Sequence, residues 1–302
     1  MTLRPGTFDD LPAAAGLRAG AVADTIITPE GMHARLAELG AAADLMMLAA
    51  EVDGQVIGWC NGWRNTFGKD PGVGALDVIV APDHQRRGLG GRLIARGLEH
   101  LDGIGIHTVR GYSVDGPAQR AVATRFGFVE VHASSTSALD PRSIEPLPVP
   151  EGVTLRSFAE IDDPRPIYEL DLEVAPDVPG DEDFGSMTLE QWKAQMWHTV
   201  FADVDASLAA YVDGELAAVT MLRVDRPSQR AQNNLTGTRR SYRGRGLARL
   251  LKTHSLHRAA LAGATIAFTD NDETNTAMLK INRELGYRHS SRRVEWERRT
   301  ST

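Results

Sequence analysis

Two short stretches of the sequence combine glycine and arginine in a pattern suited to binding an anion. Gln85 to Gly91 reads Gln-Arg-Arg-Gly-Leu-Gly-Gly, and Arg243 to Ala248 reads Arg-Gly-Arg-Gly-Leu-Ala. Each stretch follows a strand-like run and begins a helix-like one. A glycine turn at such a place leaves backbone N–H groups uncovered at the positive end of a helix dipole, where anions bind. Because the flanking arginines add positive charge, the pattern predicts a polyphosphate ligand.

The residues assigned to phosphate binding are Gln85, Arg86, Arg87, Gly88, Leu89 and Gly90 in the first stretch and Arg243, Gly244, Arg245, Gly246, Leu247 and Ala248 in the second. The alternative is an ordinary strand-to-helix turn with solvated arginines, but two copies in matching contexts favour phosphate binding. Other glycine-rich sites fit less well. Neither stretch has the Gly-Lys-Ser/Thr of a P-loop, and Leu93 stands where a dinucleotide fingerprint requires its third glycine.

The two stretches belong to two similar halves of the chain. Gly88 and Gly246 are 158 residues apart, and the runs that end at Asp53-Gly54 and Asp213-Gly214 are 160 apart. Nearly constant spacing along the chain indicates a tandem duplication. Four prolines between Asp140 and Gly152 disfavour both helix and strand. We therefore predict an N-terminal domain over residues 1–140, a proline-rich linker over 141–152 and a C-terminal domain over 153–302.

Hydrophobic periodicity predicts the same order of elements in each half. In the first half, residues 11–40 are predicted to be mostly helical with a break at Pro29, and Asp53-Gly54 is predicted to be a hairpin turn. The further elements predicted there are strands at 45–52, 55–62, 75–80, 104–109 and 129–139 and helices after the glycine turn and at 117–125. Those predicted in the second half are strands at 207–212, 215–224, 233–238, 265–269 and 292–298 and helices at 247–262 and 274–285.

Composition limits the classes of partner and compartment. The chain has 302 residues and a formal net charge of −7, which disfavours general binding to nucleic acid and suits a small cationic substrate. Cys60 is the only cysteine, so no intrachain disulfide is possible, and we expect it to be a buried, inert thiol. The nine histidines lack metal-ligand spacing, so no metal is predicted. Without a signal-peptide pattern or an apolar run long enough to span a membrane, the expectation is a cytoplasmic monomer or homodimer.

A strand that enters an Arg/Gln-x-x-Gly-x-Gly/Ala turn, followed by helix, strand, helix and Gly-Phe/Tyr, resembles the GNAT superfamily of acyl-CoA-dependent N-acyltransferases. The resemblance covers essentially the whole chain, twice. The second half adds a more specific set: Gln232, Thr236, Thr269, Asn271, Asn275, Met278 and Asn282. This set is similar to the C-terminal domain of bacterial two-domain GNAT proteins, which are related in architecture to mycothiol synthase.

The resemblance implies an α/β (α+β) protein with two tandem GNAT folds, each a mixed, mostly antiparallel twisted sheet flanked by helices. It also implies that acetyl-CoA is the co-substrate, with the pyrophosphate of coenzyme A on the backbone amides of the two loops. The further coenzyme-binding residues that it suggests are Val78 and Val80 in the first half and Thr236, Gly237, Thr238, Asn271, Asn275 and Met278 in the second. Main chain around Val78 to Val80 and Thr236 to Thr238 would supply oxyanion donors; the alternative is a plain paired strand.

The catalytic residues are less clearly marked than the coenzyme loops. Many GNAT enzymes place a tyrosine seven residues after the asparagine of the last helix, where it protonates the leaving thiolate. Here Asn275 is followed by Asn282 at that position, and the first half has Gly116 and Ala123. Asn282 is assigned to catalysis or coenzyme contact, with helix packing as the alternative.

No general base is evident, and an acidic group in the early helical region of the second half is the nearest candidate. Glu173, assigned to catalysis, lies there with Asp177 and the run Asp181, Glu182, Asp183. Family members often build the acceptor pocket in this region, although a solvated loop fits equally. Acids that faced a cleft would attract a cationic amine.

The leading hypothesis is an N-acetyltransferase that transfers acetyl from acetyl-CoA to a small amine. The C-terminal domain would be catalytic, and the N-terminal domain a degenerate coenzyme-binding or structural copy. The missing tyrosines motivate the first alternative, a non-catalytic acyl-CoA-binding regulatory module. A protein or peptide N-acetyltransferase is the other alternative. Neither nucleic acid nor membrane is an expected partner.

Overall fold

The computed structural model describes residues 1–66, 70–178, 187–198 and 202–300. Two compact units are present. Unit 1 comprises Met1–Ala23, Ile27–Ala133 and Arg292–Thr302, and unit 2 comprises Asp24–Ile26 and Ser134–Ser291. Each unit is a mixed sheet with helices packed on it.

The described residues of the first half of the sequence form four helices and six strands. The helices are α1 (Leu11–Ala21), α2 (Pro29–Glu38), α3 (Leu89–Gly103) and α4 (Pro117–Arg125). The strands that begin in this half are β1 (Thr2–Pro5), β2 (Met46–Val52), β3 (Gln55–Arg64), β4 (Val73–Val80), β5 (Thr108–Val114) and β6 (Val129–Leu139). Pro29 is the first residue of α2, after Thr28, whose hydroxyl accepts the N–H of Gly31. Because proline has no N–H to donate, the predicted break is the start of a new helix.

The second half repeats this order. Its helices are α5 (Arg165–Val174), the short α6 (Leu189–Trp192), α7 (Leu247–Leu261) and α8 (Thr276–Glu284). Its strands are β7 (Val153–Ser157), β8 (Leu208–Val212), β9 (Glu215–Asp225), β10 (Arg230–Thr238), β11 (Ile266–Asp272) and β12 (Arg288–Arg299). Between β6 and β7 the chain forms a 3-10 turn at Pro141–Ser143 and then neither helix nor strand, as expected of the four prolines.

The strand order in unit 1 is β1-β2-β3-β4-β5-β12, and in unit 2 it is β7-β8-β9-β10-β11-β6. All neighbours within a unit are antiparallel except β4 with β5 and β10 with β11, which are parallel. The hairpin turns form as predicted, because Asp53 and Gly54 both have positive φ, as do Asp213 and Gly214. Each sheet is therefore mixed and mostly antiparallel.

The last strand of each unit comes from the other half of the sequence. Residues 293–299 of β12 pair with β5, and residues 134–139 of β6 pair with β11. The units therefore differ from the predicted ranges 1–140 and 153–302 by an exchange of these strands. The ranges 1–140 and 153–302 remain a prediction about how the sequence repeats, whereas the compact units are defined by which strands pair.

The parallel pair in each unit separates after a few residues. β4 pairs with β5 only from Val73 to Ala75 but stays paired with β3 as far as Val80. β10 pairs with β11 only from Arg230 to Asn233 but stays paired with β9 as far as Thr238. We call the resulting gap between the diverging strands the wedge of each unit. In both units the first strand of the parallel pair, β4 or β10, leads through a 3-10 turn into the glycine loop.

Apolar faces of α3 and α7 cover the two sheets. In unit 1, Leu93 and Leu101 of α3 pack with Cys60, which is fully buried as expected; burial also raises the pKa of its thiol. The predicted strand at 104–109 is wrong at its start. Ile104 and Ile106 belong to the loop after α3 and are apolar because they pack into this core, so β5 begins only at Thr108.

Candidate active site

The glycine loop of unit 2 has the geometry of an anion site. Gly246 is the N-cap of the 15-residue helix α7 and has φ +78°, in the left-handed region, and Gly244 has φ +77°. Among the described residues, no hydrogen-bond acceptor engages the backbone N–H groups from Gly244 to Arg249. They are the unpaired donors of a helix start, where the dipole favours an anion. A Cβ added at Gly246 would meet nothing within 4 Å, so the space in front of the loop is open.

The loop of unit 1 has the same form with a different charge pattern. Gly88 is the N-cap of α3 with φ +81°, while Arg86 occupies the position of Gly244 with φ +58°. Arg86 and Arg87 are exposed and form no ion pair within the described chain. Their guanidinium groups are therefore available to a phosphate.

The first residue of each loop ties it to the preceding strand. In unit 1, the Gln85 amide donates to the carbonyl of Val80 at 2.9 Å. In unit 2, Arg243 takes the same place and donates through Nε to the carbonyl of Thr238 at 3.2 Å. The loop and the end of the strand therefore form one fixed piece of backbone in each unit.

Carboxylates of α5 and the turn after it hold the arginines next to the unit 2 loop. Glu173 accepts from Arg239 at 2.7 Å and from the backbone N–H of Arg240 at 2.9 Å, and these contacts lower its pKa, the backbone bond most. Asp177 accepts from Arg240 at 3.0 Å and from Arg243 at 2.6 Å, which lowers its pKa to about 2. These acids hold the loop rather than standing free; Asp181, Glu182 and Asp183 lie outside the described residues.

Replacing Asp177 by Asn should strengthen coenzyme binding to unit 2. The change removes a negative charge beside Arg240 and Arg243, while Arg243 keeps its bond to the Thr238 carbonyl. We expect about a threefold gain in acetyl-CoA affinity at low salt, falling towards zero at 0.5 M NaCl because exposed charges are screened. Calorimetric titration at two salt concentrations measures this. A weaker affinity at low salt would show instead that the carboxylate is needed to aim the arginines.

A hydrogen-bonded polar group joins β10 to β9 beside the wedge of unit 2. The Thr236 hydroxyl donates to Asn233 Oδ1 at 3.0 Å and contacts the Thr220 hydroxyl at 2.9 Å. A register shift between Asn233 and Leu235 marks a β-bulge in β10. Beyond the bulge, Gly237 packs against α5, where a Cβ would come within 3.0 Å of Val174.

The assigned asparagines lie on the other side of this wedge. Asn282 of α8 is 3% exposed and donates through Nδ2 to Asn271 Oδ1 at 2.6 Å. Its own Oδ1 is buried without a hydrogen-bond partner. Asn275 is the N-cap of α8 and accepts the backbone N–H of Met278 at 3.2 Å. The structure therefore brings Asn271 and Asn282 together, while Asn275 and Met278 begin the helix that presents Asn282.

The corresponding region of unit 1 is less polar. Val80 packs in the core beneath α3, and Val78 packs against the same cluster. Ala123 is buried on α4 and offers no side-chain donor. β4 pairs with β3 from Gly74 to Val80 without a register shift, so it has no bulge there. Asp77 on this strand forms an ion pair with Arg18 of α1.

Sequence reasoning missed Lys252, a buried amine on α7. Its Nζ donates to Asn233 Oδ1 at 2.9 Å, and burial lowers its pKa to about 7. The signal was present in the repeat: at the 158-residue spacing of the two loops, the counterpart of Lys252 is Ile94. A charge at a position that is apolar in the other half marks a place where the two halves differ in chemistry.

Two absences apply to the described part of the chain. No cluster of three or more histidine, cysteine, aspartate or glutamate residues there is arranged to hold a metal ion. No helix there combines the length and apolar character required to cross a membrane.

The Acetyltransferase (GNAT) family matches residues 24–128 and 164–287. The chain belongs to this family. Both matches include a glycine loop with its wedge, so the tandem GNAT architecture and the assignment as an N-acetyltransferase are confirmed. Acetyl-CoA is the acyl donor that this family generally uses.

Similar proteins include several mycothiol acetyltransferases. The one from Tsukamurella paurometabola is 28% identical over 238 residues, which cover 74% of this chain and 78% of that protein. The one from Thermobispora bispora is 30% identical, over 72% of this chain and 73% of its own. Among solved structures, a tandem GNAT protein from the clavulanic acid biosynthesis pathway superposes with a TM-score of 0.78 at 21% identity, covering 100% of this chain and 99% of its own. At that identity the structural likeness shows the fold alone.

Proposed function

We propose that this protein transfers an acetyl group from acetyl-CoA to the amine of a small molecule, and that unit 2 performs the transfer. The observation that carries the proposal is the bulged strand of unit 2. β10 leaves β11 after Asn233, bulges, and runs directly into a loop of unpaired backbone N–H groups at the start of α7. The loop offers an anion site, and the edge of β10 that leads to it offers main-chain hydrogen-bonding groups to the same ligand.

The residues present fit coenzyme A. The N–H groups from Gly244 to Arg249 would hold its diphosphate, with Arg245 in reach of the same place. The edge of β10 that has separated from β11 would bind the amides of its extended arm, as a peptide strand binds at a sheet edge. The unpaired Oδ1 of Asn282 is a further acceptor buried beside this path.

The acyl transfer itself requires stabilisation of the oxyanion and departure of the thiolate. Main-chain N–H groups between Leu235 and Thr238 would stabilise the negative charge that develops on the carbonyl oxygen. The leaving thiol has an ordinary pKa near 8.5, so its thiolate departs at neutral pH without a strong acid. Asn282 cannot supply a proton, because a neutral amide is not an acid in this range, and we assign it to holding the coenzyme or the thiol by a hydrogen bond.

Glu173 does not fit the role of general base for the acceptor amine. That carboxylate is bonded to Arg239 and to the Arg240 backbone, and its lowered pKa makes it a weak base. We assign Glu173 to positioning the segment that precedes the loop. The uncharged fraction of the acceptor then supplies the nucleophile, so the rate should rise with pH until the acceptor amine is deprotonated.

Unit 1 would retain coenzyme binding without efficient transfer. Its loop keeps Gly88 and the two exposed arginines, but β4 has no bulge, and Ala123 stands in place of an acid or amide. The relatives point to the first acceptor to test. Because they are called mycothiol acetyltransferases, an unacetylated precursor of mycothiol heads the amine panel.

Calorimetric titration with acetyl-CoA, run beside thiol release in the presence of amines, tests the proposal. We expect binding to both loops and release of coenzyme A that depends on an amine and yields an acetylated product. Binding without release across a broad panel would favour the alternative, an acyl-CoA-binding regulatory module, for which the absence of tyrosine at Asn282 and Ala123 is the motivation. Failure to bind acetyl-CoA would refute both.

A further inference from the structure

Lys252 is a buried amine on α7 of unit 2. The side chain is 1% exposed, and its Nζ donates to Asn233 Oδ1 at 2.9 Å. It lies 5.4 Å from the centre of the Tyr287 ring, whose phenol has its pKa raised by burial. Within the described chain, no carboxylate forms an ion pair with this amine. Buried lysines are rare, because a charge in an apolar setting is costly.

The fold does not require a polar group at this place. The counterpart of Lys252 in unit 1 is Ile94, which packs with Leu93 in the core beneath α3. The counterpart of Asn233 in unit 1 is Leu76. Asn233 pairs with Leu222 of β9, and Leu76 pairs with Gly62 of β3. Leu222 and Gly62 are themselves separated by the 160-residue spacing of the hairpins. Both counterparts in unit 1 are therefore hydrocarbon side chains of one apolar cluster.

The Asn233 side chain, which accepts the hydrogen bond from Lys252, bonds to residues on both sides of the β-bulge. Its Nδ2 shares two N–H donors among three acceptors, the carbonyls of Met221 and Leu235, both at 3.2 Å, and the Thr220 hydroxyl at 3.0 Å. Its Oδ1 accepts from Thr236 at 3.0 Å as well as from Lys252. One amide thus joins the residues before and after the bulge to the neighbouring strand, and the lysine donates to the oxygen of that amide.

We propose that Lys252 is a positioning residue for acyl transfer in unit 2, acting through Asn233 to hold the β10 bulge and the main-chain donors that follow it. The proposal rests on the proposed function of unit 2. It explains why the bulge, the lysine and the asparagine occur together in unit 2, whereas unit 1 has Ile94, Leu76 and an unbulged strand.

Two further buried polar groups belong to this part of unit 2. Asn282 Oδ1 and the Tyr287 hydroxyl are both buried and lack hydrogen-bond partners. The two residues are adjacent, since the Tyr287 N–H donates to the Asn282 carbonyl at 3.0 Å, and the Tyr287 ring lies beneath Lys252. Buried polar groups normally have partners, so a bound group that donates to Asn282 Oδ1 and accepts from the Tyr287 hydroxyl would complete them.

Three variants separate positioning from simple packing. Lys252→Met removes the donor to Asn233 and keeps the length of the side chain, whereas Lys252→Gln keeps an N–H donor without the charge. Lys280→Met makes the same chemical change at an exposed position of α8 and serves as the matched control. We expect kcat/KM for acetyl transfer to fall about 10- to 100-fold in Lys252→Met, to recover at least in part in Lys252→Gln, and to stay at the wild-type value in Lys280→Met.

Hydrogen–deuterium exchange on the protein without coenzyme gives a readout that does not depend on activity. Amides from Asn234 to Thr238 should exchange at least several-fold faster in Lys252→Met than in wild type, while amides of β4 should be unchanged. If β10 exchange and kcat/KM both stay at wild-type values, Lys252 does not position the bulge. Should wild type itself transfer no acetyl group, the proposed function fails, and the exchange of β10 still decides whether Lys252 holds the bulge.

Discussion

The Gly246→Asp variant should lose about 100-fold in acetyl transfer, while Gly88→Asp should keep most of it. The substitution at Gly246 puts a carboxylate among the unpaired N–H groups at the start of α7, where the proposed diphosphate would lie. Removing that anion site and adding like-charge repulsion amounts to roughly 2 to 3 kcal/mol of binding free energy. Gly88→Asp makes the same change in unit 1 and should reduce the binding stoichiometry from two to one.

Asparagine variants isolate the charge from the backbone effect. Asparagine tolerates the left-handed conformation of both glycines, and a Cβ meets no neighbour within 4 Å at either position. Gly246→Asn should therefore retain much more activity than Gly246→Asp. If Gly88→Asp abolished turnover while Gly246→Asp did not, the catalytic unit would be unit 1, and the assignment of catalysis to unit 2 would be wrong.

The repeated loops were predictable because their signal is local. Gly88 and Gly246 have positive φ, each caps the start of a helix, and each is preceded by a strand, so three adjacent features agree. The Asp53-Gly54 turn is predictable for the same reason. The family, and with it the mixed sheet of each unit, followed from these patterns repeated at constant spacing.

The exchange of the last strands was not predictable from such patterns. β6 and β12 each follow a helix and a Gly-Phe or Gly-Tyr, and either could pair with β5 or β11 by its alternation of side chains. The choice of partner is a tertiary effect, because the pairing of such a strand depends on the surface available to it as well as on its own sequence. The role of Asp177 was also hidden, since the arginines that it binds are 63 and 66 residues away.

Lys252→Met should make the protein more stable at neutral pH while it makes the enzyme slower. In the unfolded chain the Lys252 amine has its ordinary pKa of 10.5, and in the folded chain burial lowers the pKa to about 7. Between these values the unfolded state binds a proton that the folded state lacks, so the free energy of unfolding of wild type rises with pH across this window. Below pH 7 both states are protonated, and the folded state bears the full cost of the buried charge.

Methionine removes that cost, because it fills a similar volume without an ionisable group. The difference between the two pKa values corresponds to roughly 4 to 5 kcal/mol, and the lost hydrogen bond to Asn233 offsets about 1 kcal/mol of it. We expect Lys252→Met to be about 3 kcal/mol more stable than wild type at pH 6.5, with the gain shrinking as pH approaches 10.5. Urea titrations at several pH values measure this, with Lys280→Met as the control that should show no gain.

A destabilised Lys252→Met at every pH would mean that the lysine is kept for packing, whereas greater stability with lower activity is the result that a residue retained for function produces.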